Sequence, residues 1–158
     1  MAVTAQKVTP MLWFDGQAEE AAEFYVSVFE DAEIGHVSRM PDGKPLVVEF
    51  RLAGQRFTAL NGGPEFSFTP AVSFVVDCGT QEEVDHYWDT LSAGGAPEAQ
   101  QCGWLKDRFG VSWQIVPRQL SEYMSDPDPE KAARTMQAML QMKKLDIAGL
   151  KRAHDGAE

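Results

Sequence analysis

Gln114 is the side chain whose type and place most invite a chemical role. It lies in Val111-Ser-Trp-Gln-Ile-Val-Pro117, where Val111, Trp113 and Ile115 alternate with Ser112, Gln114 and Val116. The first set asks for a core. The second puts an amide, donor and acceptor at once, on a face that need not be core, where it bonds either a ligand or a neighbouring strand. Glu49 and Arg51, two apart on another strand-like run, are same-side neighbours. They can hold a polar substrate or close an ion pair at a sheet edge. Trp13 and Trp104 offer flat surfaces, for stacking on a planar ligand or for packing. Among the histidines, His36 stands on a strand that could face a cleft, His86 on the polar side of a helix and His154 in the tail. Cys78 and Cys102 are too few for a disulfide framework and lack zinc-ligand spacing. No neighbouring base can be assigned to either, so both read as reduced thiols and not as catalytic thiolates.

The elements that must position these residues follow from pattern. Cys102 to Pro117 reads as a strand, a tight turn at Asp107-Arg108-Phe109-Gly110 with a charged rim, and a second strand stopped by Pro117. Gly110 supplies the positive φ that closes such a hairpin. Earlier, Val8 to Phe14 reads as a strand ending at Asp15-Gly16. Residues 17–30 then carry Ala18, Ala21, Ala22, Tyr25, Val28 and Phe29 on one helical face and Glu19, Glu20 and Glu23 on the other. Three strands follow, over 34–40, 46–52 and 56–61, separated by Pro41-Asp42-Gly43 and Ala53-Gly54-Gln55. The grammar then restarts. A strand over 71–76 ends at Asp77, and Thr80-Gln-Glu-Glu83 forms a capping box before Val84, Tyr87, Trp88 and Leu91. Asp15 with Glu19-Glu20 and Phe24-Tyr25 is echoed by Asp77 with Glu82-Glu83 and Tyr87-Trp88, an offset of about 62 residues.

Two β-α-β-β-β copies, each with a helix on one sheet face, predict an α+β fold in which the paired modules leave a cleft on the other face. The expected divisions are 1–65, 66–118 and a helical extension over 119–158. In that extension Asp128 and Asp146 are N-caps, Pro129 is the first helical residue, and Ala133, Met136, Met139 or Leu140 and Lys143 trace a stripe. Residues 153–158 are expected to fray.

Composition sets bounds. With 158 residues, 44% of them hydrophobic, the chain can bury one sizeable core. A net charge of -10 argues against nucleic acid and anionic membranes, which select clustered Lys and Arg. No apolar run is long enough to span a bilayer and no signal-peptide core opens the chain, which points to the cytoplasm.

The two-module order resembles the vicinal oxygen chelate superfamily, which includes glyoxalase I, extradiol dioxygenases and bleomycin-resistance proteins. It is most similar to the PhnB-like branch, whose members often carry the label 3-demethylubiquinone-9 3-methyltransferase. The matching segments are Leu12-Trp-Phe-Asp-Gly16, Ala21-Ala-Glu-Phe-Tyr25, Leu60-Asn-Gly-Gly-Pro64, Ala71-Val-Ser-Phe74, Cys102-Gly-Trp-Leu-Lys-Asp107, Phe109 to Pro117 and Met139 to Lys144. In metal-dependent relatives four ligands come from the two modules. The resemblance sets the corresponding positions near Thr9, Phe57 (with Asn61 on the same strand face), Ala71 and Gln114. Of these only Gln114 is a plausible ligand, so the resemblance implies the fold and no tightly bound metal.

The expectation is therefore a protein that binds an unidentified small molecule without metal or other cofactor. Its candidate cleft is lined by Thr9, Trp13, Glu49, Arg51, Phe57, Asn61, Ala71 and Gln114. Two alternatives stay open: an enzyme of the superfamily (lyase, isomerase or transferase) and a non-catalytic interaction module. Methyl transfer on a Rossmann-like fold needs a Gly-rich loop after the first strand, and Asp15-Gly16-Gln17 is not one. Open sheet edges and the Met-rich helix want cover, and relatives of this kind commonly pair through module exchange, so a homodimer is expected.

Overall fold

Leu12 and Phe14 are buried while Met11, on the other face of the same short strand, is 56% exposed. That alternation sets the plan of the first half: one sheet face against a helix, the other open. A computed structural model describes residues 6–157. Two compact units are present, one ending at Ser67 and the other beginning at Phe68.

The first unit runs β1 (Met11–Phe14), α1 (Ala18–Val28), β2 (Glu33–Arg39), β3 (Pro45–Leu52) and β4 (Gln55–Asn61). The strands lie in the order β1-β4-β3-β2, with β1 parallel to β4 and the other pairs antiparallel. Helix α1 buries Ala18, Ala21, Ala22, Tyr25 and Val28. The small residues let the helix lie close, and Tyr25 stacks on Phe50 of β3 at 6.1 Å between ring centroids. Phe50 in turn stacks on Phe57 of β4 at 5.3 Å.

The second unit opens with β5 (Ser73–Cys78) and α2 (Gln81–Ser92), then a single 3-10 turn at Pro97–Ala99, β6 (Trp104–Lys106) and β7 (Ser112–Pro117). Its sheet has the order β5-β7-β6, with β5 parallel and β6 antiparallel to β7. It echoes the first unit with one strand fewer among the described residues. Where β2 stands in the first copy, the second has the 3-10 turn and a lone Gln101–Trp104 bridge. The Pro97 ring and the tight Cys102-Gly103 bend leave no room for a longer run. The capping box forms as its sequence predicts, with the Glu83 N–H donating to the Thr80 hydroxyl at 3.2 Å.

Three helices close the chain: α3 (Arg118–Met124), α4 (Pro129–Leu140) and α5 (Ile147–Asp155). Asp128 and Asp146 cap α4 and α5 through the N–H groups of Glu130 and Gly149. Two expectations about this region are corrected. The buried side of α4 centres on Thr135, while Ala133 and Met136 face outward, one position round from the expected stripe. The tail is also ordered further than expected: α5 continues to Asp155, and His154 is held between Tyr123, 4.7 Å away ring to ring, and Asp126, 2.8 Å from its Nε2. Glu158, the last residue of the stretch expected to fray, lies outside the described residues.

Candidate functional site

On the open face of the first sheet, register fixes the neighbours. Glu49 of β3 lies opposite Thr58 of β4, and Arg51 lies opposite Arg56. On its other side Arg51 lies opposite Glu33 of β2. These residues, with Thr9 and Gly35, border a groove of about 240 Å³. Phe50 and Phe57 also border it.

The charges of the groove are unevenly paired. Arg51 is held by two carboxylates, Asp31 at 3.0 Å and Glu33 at 3.1 Å. Its hydrogen bonds to Asp31, and next to Glu33, raise its pKa above the ordinary guanidinium value. The expected Glu49–Arg51 ion pair is thus replaced by pairs to β2 and to the loop before it. Two-apart side chains on one strand stand about 7 Å apart, whereas Glu33 is directly opposite. Arg56 donates from Nη2 to the backbone carbonyl of Gln6 at 3.0 Å. Gln6 straps the groove's edge: it also donates to the Arg56 carbonyl and accepts from the Arg56 N–H, each at 3.0 Å.

Apart from Phe57, the remaining candidates fall elsewhere. Phe57 is 6% exposed and faces α1, and Asn61 shares that face and not the open one. Asn61 is committed to the fold: its Oδ1 accepts the Ala18 N–H at 2.9 Å, and its Nδ2 donates to the Pro45 carbonyl at 3.0 Å. Trp13 is on the open face, but its indole N–H donates to the Gly63 carbonyl at 2.9 Å and its ring meets Phe66 edge-on at 4.9 Å. Ala71 is an exposed loop residue, because β5 starts two residues later than expected. His36 is exposed on β2 and does not border the groove.

In the second unit, Gln114 is half-buried on the face opposite the core-facing Trp113 and Ile115, as its alternation predicts. Its Nε2 donates to the Ser73 hydroxyl of β5 at 3.0 Å. Trp104 lies beside it across the β6–β7 pair and borders a second cavity of about 300 Å³. The hairpin turn holds a surprise. Asp107, expected as part of a charged rim, is 2% exposed. Its Oδ1 accepts the N–H groups of Phe109 and Val111, at 2.9 and 3.0 Å, and its Oδ2 accepts the Trp113 indole N–H at 2.9 Å.

The positions that the resemblance sets against the metal sites of metal-dependent relatives carry Thr9, Phe57, Ala71 and Gln114 here. A phenyl ring and a methyl group donate nothing, and the one amide already bonds Ser73. Among the described residues no group of three or more His, Cys, Asp or Glu could hold an ion. The donor set does not fit a divalent metal.

Residues 6–116 match the profile of the family described as 3-demethylubiquinone-9 3-methyltransferase. The chain belongs to that family. A PhnB protein from Bacillus cereus is 38% identical to it, over 71% of this chain and 99% of that one, with a TM-score of 0.64. Protein PA1353 from Pseudomonas aeruginosa is 17% identical, over 72% of this chain and 98% of that one, and shares the fold with a TM-score of 0.58. A glyoxalase/bleomycin resistance protein from Albidiferax ferrireducens is 15% identical, over 72% of this chain and 99% of that one, with a TM-score of 0.48. No curated protein matches the chain. The family match ends at Val116, so α3 to α5 lie outside it.

Among the described residues no helix is long and apolar enough to cross a membrane.

Sequence reasoning reached Thr9, Glu49, Arg51 and Phe57, which border the groove, and missed Glu33, Gly35, Phe50, Arg56 and Thr58. Arg56 and Thr58 could have been found, since a hairpin closed at Ala53-Gly54 sets them opposite Arg51 and Glu49. Gly35 carries no signal without the register of β2.

Proposed function

We propose that this protein binds a small molecule in the groove on the open face of its first sheet, without a metal, and that it works as a cytoplasmic homodimer. The observation that carries the reading is the groove itself. Hydroxyls (Thr9, Thr58), guanidinium groups (Arg51, Arg56) and carboxylates (Glu33, Glu49) converge there on one small volume, polar groups that can fix the orientation of a small molecule. A homodimer is supported by exposed apolar side chains on α4, where Met136 and Leu140 are 45% and 48% exposed, and on the open sheet faces, where Val75 is 61% exposed.

The family's description favours a second reading, methyl transfer from S-adenosylmethionine. The local structure after β1 argues against it. The first N–H of α1 is taken by Asn61, and the chain enters the helix through Asp15-Gly16-Gln17 without a glycine-rich phosphate cradle.

A thermal-shift screen over metabolites and divalent ions tests the binding reading, because a ligand specific to the folded state raises the melting point. The expected result is stabilisation by an organic metabolite that Thr58→Trp, which fills the groove, abolishes. Stabilisation by a transition metal, with about one ion per chain after purification without chelators, would overturn the metal-free part. Sedimentation as a 17.5 kDa species at micromolar concentration would remove the dimer.

A further inference from the structure

The groove's unmatched charges specify its ligand further. Arg51 already faces Asp31 and Glu33. Glu49 and Arg56 line the same groove, and neither forms an ion pair among the described residues. They are diagonal neighbours across the β3–β4 pair, since Glu49 lies opposite Thr58 and Arg51 opposite Arg56. The backbones of such neighbours stand about 7–8 Å apart. One carboxylate and one guanidinium thus look onto the same small volume from positions that a short chain can bridge.

Gly35 keeps the space in front of Glu49 open. An ideal Cβ there would sit 3.4 Å from both the Glu49 Cβ and the Glu49 carbonyl oxygen, so any larger side chain would grow into the groove. Its backbone is not left-handed, so the turn geometry does not require glycine there. The volume of about 240 Å³ is below the ~300–1,000 Å³ of pockets that take drug-sized ligands.

We infer that the groove takes a small dipolar molecule, its ammonium group at Glu49 and its carboxylate at Arg56, joined by a short flexible chain. This rests on the groove being the ligand site. A simple anion would meet Glu33 and Glu49 on a protein of net charge -10, and a simple cation would meet Arg56. A dipolar ligand satisfies both ends. The diagonal spacing selects an amino acid whose charges are several bonds apart over an α-amino acid.

Heteronuclear NMR titration of the whole chain with glycine, β-alanine, γ-aminobutyrate and δ-aminovalerate tests this, with butyrate and butylammonium as single-charge controls. Saturable shifts are expected at the amides of Gly35 and Thr58. Affinity should rise at least about fivefold from glycine to δ-aminovalerate, and γ-aminobutyrate should bind about fivefold more tightly than either control, the scale of one exposed ion pair. Glu49→Gln should weaken γ-aminobutyrate and leave butyrate unchanged. Arg56→Gln should weaken γ-aminobutyrate and leave butylammonium unchanged. Both side chains are exposed, so the variants fold as the parent does, with spectral changes confined to the groove and, for Arg56→Gln, to the neighbourhood of Gln6. Equal binding of the controls, or a Glu49→Gln variant with unchanged affinity, overturns the dipolar assignment. If controls or other metabolites still shift Gly35 and Thr58, the groove stands as a site while the ligand class falls. If no probe shifts them, both fall.

Discussion

The Trp113 indole N–H donates to the Asp107 carboxylate at 2.9 Å, inside a hairpin whose turn that same carboxylate organises. The other oxygen of Asp107 takes the backbone N–H groups of Phe109 and Val111, so one buried anion ties the turn, the start of β7 and the largest core side chain of that strand together. Charge-assisted bonds of this kind are stronger than neutral ones, and deserted buried donors are costly. Asp107→Ala should therefore lower unfolding free energy by about 3 kcal/mol in urea titrations. Asp107→Asn keeps one acceptor oxygen and should lose roughly half as much. A change within about 0.5 kcal/mol for the alanine variant would mean the carboxylate merely decorates the turn.

The same hairpin leans on Gly95. A Cβ built there would sit 2.0 Å from the Lys106 carbonyl oxygen, and a backbone atom cannot swing away as a side-chain tip can. Gly95→Ala should displace β6 from the end of α2 and destabilise the fold by about 2–3 kcal/mol, in the range of overpacked sites. Gly94→Ala, next along the chain, should act through its left-handed φ of 77° instead and cost about 1 kcal/mol. Thermal melts of the pair separate the two causes.

What the sequence made legible, and what it hid, divides along the range of the forces involved. Helix α2 could be read because Thr80, Glu83 and the Val84–Trp88–Leu91 stripe are local signals that agree. Gln114 could be placed on the face away from Trp113 because a strand alternates by two. Asp107 could not be read as buried, because its three donors are brought together only when the turn closes. Phe57 and Asn61 were attributed to a cleft through likeness to metal-binding relatives. Which face α1 covers is decided by its packing on Phe50, a tertiary fact without local trace. That the second sheet has three strands among the described residues is likewise a competition between a weak strand pattern and the turn-forming Pro97 and Gly103, which the turns win.

The two cysteines should differ sharply in reactivity. Burial, followed by the nearby Glu83 and Asp77 carboxylates, pushes the Cys78 thiol up to about 12, so it stays protonated at neutral pH. Cys102 is half-exposed. Iodoacetamide at pH 8 should alkylate Cys102 in the native protein and leave Cys78 unmodified until the protein unfolds, as read by peptide mass spectrometry. Equal labelling of both would show that β5 opens readily.

Acid should loosen the closing helices first. Asp126 is held below the usual carboxylate range by the Asp128 N–H, which donates at 2.8 Å, and next by His154. Asp155 is held down by Lys151 and next by His154, and Asp85 by Gln81 and next by Lys144. A lowered native value means that the unfolded chain binds more protons. The stabilisation is therefore complete above the unfolded carboxylate value of about 3.9 and is lost as pH falls through the native values. Asp126→Asn should melt below the parent at pH 6, and the gap should narrow as pH falls through the lowered native value of Asp126, where the parent's carboxylate also becomes neutral. A gap that stays constant from pH 6 to acid would remove Asp126 from the linkage.

Asn61 gives the sharpest separation between fold and ligand, because its amide joins three elements: it receives the Ala18 N–H at the start of α1, donates to Pro45 at the start of β3, and itself ends β4. A side-chain acceptor at a helix start is worth about 1 kcal/mol, and loss of the second bond leaves the Pro45 carbonyl to find water. Asn61→Ala should thus cost about 2 kcal/mol of stability and leave affinity for any groove ligand within about twofold, since the amide points to the α1 face. Asn61→Asp should recover part of the loss, because a carboxylate still accepts from Ala18 and suits the positive end of the helix, though it cannot donate to Pro45. The same geometry bears on methyl transfer. With Asn61 seated on α1, calorimetric titration with S-adenosylmethionine should show no saturable micromolar binding. Binding that appears in the parent and vanishes in Asn61→Ala without loss of stability would reverse the assignment and make Asn61 a ligand residue.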